Sequence, residues 1–438
     1  MMPERLLKRG TCRALLLGAF LCGLGGTHAA IAQEQSPDPA TQEDIDELSR
    51  QVEILAEEVE RLRSGEPETE VTDDRARQLG LGSSAASVYR QADGVSIAGY
   101  GEMLLQSFRD RDQSGNGVDK GSQLDFLRAV FYFGYRFNDR FLFNSEIEIE
   151  HADEIGVEFA YIDYLALPAL TLRGGLLLVP MGLTNEIHEP TAFLSARRPE
   201  TESKLLPSTW RENGFGAVGA SGRVSYRAYV VNGLDAGGFS ADGLRGGRQK
   251  GSKAKASDLG FVGRLDVTPV PGVFLGGSIY AGDSSQDQFT TEGQQFSVRT
   301  TIGEFHAQAQ IRGFDFRALY ARSSLDNVDQ LNAVRNLTGA DGIGEAQQGG
   351  YLQFGYNVLS QVSEGIELTP FYRFEALDTQ ARVASGFVKN PALDRKFHTF
   401  GVSFKPIGNV AVKADYQVVR NQAQTGVDQF SLALGYSF

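Results

Sequence analysis

The last ten residues of the chain, Gln429-Phe-Ser-Leu-Ala-Leu-Gly-Tyr-Ser-Phe438, carry the pattern that decides the fold. Large apolar side chains occupy every second position, and small or polar side chains occupy the positions between them. Successive side chains of a strand point to opposite faces, so this stretch predicts a β-strand with one apolar and one polar face.

The same alternation recurs throughout residues 95–438. Phe305 to Ile311 and Phe141 to Ile149 are two further clear examples. No second class of segment is present that could cover so many aromatic-rich apolar faces, and strands that are apolar outside and polar inside are what a transmembrane barrel requires. We predict sixteen strands, at 95–108, 122–137, 140–151, 155–167, 169–179, 213–221, 223–234, 258–268, 273–282, 299–311, 314–322, 350–359, 366–376, 397–405, 410–419 and 427–438.

The connections between these strands alternate between short turns and mostly longer loops, with exceptions at 152–154 and 420–426. Short periplasmic turns and longer outer loops are typical of bacterial outer-membrane barrels, which also have an even number of strands. The predicted fold class is therefore all-β, a 16-stranded antiparallel transmembrane β-barrel with a short N-terminal coiled-coil helix.

Residues 1–32 have the pattern of a cleaved signal peptide. A basic start precedes the apolar stretch Ala14 to Leu21, and small residues follow at Ala30-Ile31-Ala32. Cys12 and Cys22 both lie in this segment, so the mature chain is predicted to be exported without a disulfide.

Residues 33–66 carry apolar side chains at a spacing of three and four. This pattern predicts a short periplasmic coiled coil, with a solvated helical spacer as the alternative. Residues 67–94, with their acidic start, are predicted to be a linker to the barrel domain at 95–438. The seam of the helix consists of Ile45, Leu48, Val52, Leu55, Val59 and Leu62.

The net charge of −13 is spread unevenly over the 438 residues. Residues 1–32 carry +3, residues 33–94 carry −10 and the barrel segment carries −6. A pI near 5.0 makes the chain a poor candidate for binding nucleic-acid phosphates. A mean hydropathy of −0.23, with no internal apolar run of about 18 residues, excludes a bundle of membrane-spanning helices.

The longest connection, 180–212, is the best candidate for narrowing a wide lumen. It contains the only Trp together with several large apolar residues, which favours folding into the barrel over packing outside at a contact between subunits. If it folds inward, basic residues line a constriction opposite carboxylates. The basic set is Arg197, Arg198, Lys204 and Arg211, and the acidic set is Glu186, Glu189, Glu200 and Glu202.

Alternation along the strands places charges of both signs on the lumen face, although the segment 155–167 fits either phase. We expect most of these side chains to form salt bridges that brace the wall, and they show no track of a single sign. The predicted lumen-facing charges are Arg128, Arg173, Arg227, Arg264, Arg317, Arg373, Lys413, Glu146, Glu148, Glu150, Glu158, Asp266, Glu304, Asp315, Glu375 and Asp415.

The mature chain offers little for catalysis. It contains His151, His188, His306 and His398, with no paired spacing for a metal and no nucleophile elbow. We therefore predict no catalytic residues, no metal and no cofactor. The alternative is an outer-membrane hydrolase that uses His306 or His398.

Two stretches, Ser87 to Glu102 and Phe371 to Thr379, resemble porins of the phosphate-selective O and P family, and Gly435 to Phe438 resembles the C-terminal signal of outer-membrane proteins. The resemblance covers about residues 87–438. It implies a trimeric, sixteen-stranded porin whose third loop folds into the pore, whereas the N-terminal seam favours two strands. Phosphate-selective members of the family use a run of arginines and a cluster of lysines to attract anions. The alternation along the strands of this chain does not assign such a set of basic residues.

The sequence thus predicts an outer-membrane porin for passive diffusion of small hydrophilic solutes or inorganic ions. The predicted partners are outer-membrane lipid, further copies of this chain in a homotrimer, and the solutes. Nucleic acid is not a predicted partner. Arg128, Arg317, Arg373 and Glu375 join the loop residues as candidate pore-lining residues. The alternatives are a phosphate- or anion-selective channel and an envelope tether that acts through the acidic coiled coil.

Overall fold

The computed structural model describes residues 73–291, 293–363 and 365–438. The predicted signal peptide at 1–32 and coiled coil at 33–66 lie outside the described residues. No helix in the described part of the chain is long and apolar enough to cross a membrane.

Sixteen antiparallel strands form one closed barrel, which confirms the predicted all-β architecture. Two further short strands, β10 and β11, pair as a hairpin in one loop. The strands are β1 Gly94–Phe108, β2 Gln123–Arg136, β3 Phe141–Glu150, β4 Glu154–Leu167, β5 Leu170–Leu178, β6 Arg211–Ser221, β7 Val224–Asn232, β8 Leu259–Val267, β9 Val273–Asp283, β10 Thr290–Thr291, β11 Gln294–Gln295, β12 Arg299–Ile311, β13 Phe314–Leu325, β14 Gly344–Tyr356, β15 Glu367–Val383, β16 Asp394–Ile407, β17 Val410–Asn421 and β18 Gln429–Ser437.

The barrel closes where the first strand meets the last. Strands β1 and β18 pair from Tyr100 opposite Ser437 to Phe108 opposite Gln429. Beyond this ladder, the backbone N–H groups of Gly99 and Phe438 each donate to the carbonyl of the other residue at 2.8 Å. Closure leaves no open sheet edge, so the strands satisfy their backbone groups without water.

The faces of the strands follow the predicted alternation. In β18, Phe430, Leu432 and Leu434 are exposed on the outer surface, whereas Gln429 and Ser431 are buried inside. Phe305 in the middle of β12 is 76% exposed. An apolar outer surface rich in aromatic side chains is typical of a barrel that is surrounded by lipid.

A β-bulge explains why the segment 155–167 fits two phases. The register between β3 and β4 shifts between Glu146 and Ile147. As a result, the consecutive residues Glu158 and Phe159 are both buried inside the barrel. One extra residue in a bulged strand shifts the alternation by one position, so the side chains beyond the bulge change to the opposite face of the sheet.

One end of the barrel, called here the short-turn end, has tight connections such as Gly222–Arg223 and Arg312–Gly313. The opposite, long-loop end carries the extended connections and two of the four described helices. The helices are α1 Asp73–Gln78, α2 Ser87–Arg90, α3 Glu200–Lys204 and α4 Val328–Val334.

Several strands extend further into the long-loop end than predicted, among them β14, β15 and β16. β14 begins at Gly344 rather than at residue 350, β15 continues to Val383 rather than ending at 376, and β16 begins at Asp394 rather than at 397. These extensions are rich in polar residues. An alternating hydrophobic pattern does not mark strand residues that lie beyond the apolar belt.

We expect Phe305→Arg to destabilise the barrel by roughly 2–4 kcal/mol, because it places a charge at mid-strand on the lipid face. Folding into lipid vesicles over a urea series measures the effect. Gln308→Arg is the matched control, since position 308 of the same strand lies on the inner face. Equal stability of the two variants would contradict the assignment of the outer face.

A lumen crossed by an inner loop

Residues 179–210, called here the inner loop, lie inside the barrel. Val179, Met181, Leu205 and Trp210 are all fully buried. The Trp210 ring packs against Tyr280 of the wall, with ring centroids 5.0 Å apart. Burial of these apolar side chains stabilises the loop within the lumen instead of above it.

Polar contacts close the base of the inner loop. The Asn185 side-chain amide donates to the carbonyls of Val179 and Trp210 and accepts from the Trp210 N–H. One carboxylate oxygen of Glu202 accepts from the N–H groups of Leu183 and Thr184 at 2.9 and 2.7 Å. The two ends of the loop are therefore held together before it crosses the lumen.

Basic side chains of the far wall bind the inner-loop backbone. Arg317 donates to the Ala192 carbonyl at 2.7 Å, and Lys413 donates to the Ser195 carbonyl at 3.2 Å. Arg373 donates to the Ser195 hydroxyl at 2.6 Å. These charge-assisted bonds connect the loop to β13, β15 and β17.

Acidic side chains of the same wall bind the loop N–H groups. Asp415 accepts from the Ala196 N–H at 2.6 Å, and Glu375 accepts from the N–H groups at the start of α3. Tyr351 of β14 donates to Glu202 at 2.6 Å. The wall thus supplies both donors and acceptors to one stretch of backbone, which fixes the inner loop as a constriction.

A buried charge cluster lies on the opposite side of the lumen, around His188. Its Nε2 atom is 3.1 Å from Glu146 Oε1 and 2.9 Å from Glu158 Oε2, while Nδ1 lies 2.9 Å from the Asn185 carbonyl oxygen. Arg211 donates to Glu158 at 3.2 Å. Burial alone lowers the pKa of His188, but the two carboxylates outweigh it and raise the pKa to about 10.

The donor atoms of Glu146, Glu158 and His188 lie within 4.8 Å of one another, a spacing that could hold one cation. A charged imidazole already supplies positive charge between the two carboxylates. The neighbouring Arg128 pairs with Glu148 at 3.0 Å and with Glu102 at 3.7 Å, so the cluster braces β1 to β4.

A second cluster braces β7, β8 and β12. Glu186 of the inner loop contacts Arg227 at 3.0 Å and Arg264 at 3.7 Å. His306 lies between Asp266 and Glu304, at 2.9 Å from each.

The two histidines of the hydrolase alternative do not share a site. His306 is buried in the lumen, whereas His398 bonds Tyr372, which is exposed on the outer surface.

Two cavities of about 460 Å³ each lie on opposite faces of the inner loop. The long-loop cavity is lined by residues that include Lys120, Arg197, Glu200, Lys204 and Arg395. The short-turn cavity is lined by residues that include Arg77, Asp315, Arg317, Glu367 and Lys405. Basic side chains outnumber acidic ones on both linings.

The structure distributes the predicted constriction residues over several environments. Arg197 and Lys204 face the long-loop cavity, and Arg198 is half-buried on the same segment. The predicted lining of a constriction by these residues stays a prediction. Among the loop carboxylates, Glu200 pairs with Arg197 of the same loop at 2.9 Å, and two others contact groups outside the loop. Glu186 binds wall arginines, and Glu189 accepts from Ser83 and Ser84.

The predicted strand at 397–405 does not include Arg395, because it begins three residues after the observed start of β16 at Asp394. Arg395 lies in phase with Phe397, which is buried inside. Extending the alternation backward by one step would have placed the Arg395 side chain in the lumen. Arg77 lies in the segment 67–94, for which the sequence predicts only a linker and therefore no lining residue.

No family model matches the chain. An uncharacterized protein of Aquifex aeolicus (strain VF5) is 37% identical over 353 residues, which cover 77% of this chain and 78% of the relative. The chain belongs to the same family as this Aquifex protein. The resemblance to phosphate-selective porins stays a prediction.

Solved structures share the fold at low identity. OmpF of Salmonella typhi, in complex with daunomycin, is 12% identical with a TM-score of 0.52, covering 79% of this chain and 98% of that one. OmpT of Vibrio cholerae, folded in vitro, is 11% identical with a TM-score of 0.50, covering 80% and 98%. The fold of this chain is therefore that of outer-membrane porins.

We expect His188→Gln to remove a pH dependence of the unfolding free energy. In the folded state the pKa of His188 is raised from the ordinary 6.5 to about 10. The imidazolium therefore contributes its full stabilisation of the folded state below pH 6.5, and this contribution to the unfolding free energy is lost as the pH rises through about 10. Fluorescence of the single Trp, buried in the inner loop, monitors urea unfolding at each pH. His398→Gln is the control, and an unchanged slope in His188→Gln would contradict the assignment.

Proposed function

We propose that the chain forms a water-filled channel in the outer membrane of a Gram-negative cell, through which small hydrophilic solutes diffuse passively. The two cavities on either side of the inner loop carry this proposal. They place solvent-accessible space at both ends of the same constriction, along the side of the lumen formed by β13 to β18. A barrel of sixteen strands is wide enough to leave such a path after one loop has folded inside.

The linings favour anionic solutes as the preferred cargo. In the long-loop cavity, Lys204 and Arg395 share the carboxylate of Asp242, and Arg197 pairs with Glu200 at 2.9 Å. Lys120 adds a further positive charge near the ring of Phe108. Carboxylate or phosphate oxygens are suited to pair with such basic side chains.

Acidic side chains contribute less to this path because they are paired elsewhere. Glu146 and Glu158 are occupied by His188, and Glu375 and Asp415 by the inner-loop backbone. The net negative charge of the barrel segment is therefore a poor guide to the charge that a solute meets. Local fields in a narrow lumen are set by the side chains that line it.

The assembly and placement follow from the same proposal. The chain would be exported through its cleaved signal peptide, be surrounded by outer-membrane lipid and associate as a homotrimer, with the N-terminal helix in the periplasm. The aromatic outer surface of the barrel and the porin fold support this placement, and the family resemblance supports the trimer.

Reconstitution in a planar lipid bilayer tests the channel. We expect stepwise conductance and, in a salt gradient, a reversal potential of the sign that indicates preferential passage of anions. Arg395→Gln should lower the anion-to-cation permeability ratio by about two-fold, because it removes a guanidinium from the cavity lining. Arg382→Gln is the matched control, since this exposed arginine pairs with Glu345 at the end of β15.

Absence of stepwise conductance would contradict the channel itself. A reversal potential on the cation side would contradict the anion preference and leave the channel intact.

A further inference from the structure

Residues 73–90, called here the plug segment, enter the barrel at the short-turn end. Arg75 donates to the Pro168 carbonyl at 3.1 Å and Gln78 donates to the Gly222 carbonyl at 3.5 Å, both at short turns. Arg77 donates to Gln310 at the end of β12 at 3.0 Å. The segment is thus attached to three separate places on the rim.

The far end of the plug segment is buried against the inner wall. Ala86 and Val88 are fully buried, and a Cβ atom at Gly134 of β2 would overlap Val88. The Tyr89 hydroxyl donates to Asp163 at 2.7 Å and accepts from Arg173 at 3.0 Å. An isolated tail would leave these groups in water, so their burial indicates a built seat.

The middle of the plug segment contacts the inner loop directly. The Ser84 N–H and the Ser83 hydroxyl each donate to the Glu189 carboxylate at 3.0 Å. Within the described part of the chain, this carboxylate accepts its hydrogen bonds from the plug segment. Gly80 and Gly82 allow the close approach, because a Cβ at either position would overlap the carboxylate of Glu186 or Glu189. Gly80 also has a φ of +72°, which favours glycine.

We propose that the plug segment is a selectivity-determining part of the channel: it supports the inner loop from below, closes the side of the lumen opposite the solute path and places Arg77 in the lining of the short-turn cavity. This inference rests on the proposed channel function. With the segment in place, Asp163, Glu186 and Glu189 are covered or paired. Without it, Glu189 loses both donors and the loop loses its support, whereas Asp163 keeps Arg173 and Glu186 keeps Arg227.

Replacement of residues 75–90 by a Gly/Ser linker of equal length tests the inference in planar bilayers. We expect the single-channel conductance to rise by about two-fold or more and the reversal potential to shift toward the cation side, because the pore widens, Glu189 loses its donors and Arg77 is removed from the cavity lining. A linker variant with wild-type conductance and reversal potential would overturn the proposal.

A single substitution serves if the linker variant does not insert. Gly82→Val should displace the Glu189 carboxylate from Ser83 and Ser84, and so raise the conductance in the same direction. Gly117→Val is the matched control, since no atom lies within 4 Å of a Cβ built there. Wild-type behaviour of Gly82→Val would count against the proposal.

Thiol labelling tests the seat without relying on conduction. Both natural cysteines precede residue 33, so a cysteine introduced into the mature barrel is a unique target. We expect Ala85→Cys, at a site that is 5% exposed, to react with a maleimide at least ten-fold more slowly than Gln91→Cys, at an exposed site. Equal maleimide reaction rates of the two variants would contradict the burial of the plug segment against the inner wall. A silent wild-type bilayer combined with a protected Ala85→Cys would refute the channel and retain the plug.

Discussion

The structure depends on the closure of β1 against β18. In a lipid environment an unpaired backbone N–H or carbonyl costs several kcal/mol, so the sheet must have no edge. The reciprocal bonds between Gly99 and Phe438 complete that closure at the end of the chain. A closed ring of sixteen strands then encloses a lumen too wide for wall side chains to fill, and the other internal features follow from how that space is occupied.

Two segments occupy the lumen by different means. The inner loop crosses it and is bound by wall side chains of both signs, such as Arg373 and Asp415. The plug segment fills the space below and contacts the loop through Glu189. Because each segment satisfies the polar groups of the other or of the wall, much of the buried charge is compensated, and basic side chains predominate in the linings of the two cavities.

This division changes the meaning of the net charge. The acidic residues of the wall are numerous, but Glu146 and Glu158 surround an imidazolium, and Glu375 binds backbone N–H groups. These charges hold the inner loop against the strands of the barrel. The linings of the two cavities instead carry groups such as Arg395 and Lys405, so the net charge of the barrel segment does not describe the charge of these linings.

The sequence by itself determined the sixteen strands and, outside β4, their inner and outer faces, because a two-residue period and a closing Phe438 are local features of the chain. The single Trp and the apolar residues of 180–212 identified the long loop that folds inward. Only the tertiary structure decided which charges pair, since Arg211 meets Glu158 and Glu189 meets Ser84 across long separations in sequence. It also decided that residues 73–90 lie in the lumen. That segment has no periodic pattern, and its burial comes from a seat that exists only after the barrel has closed.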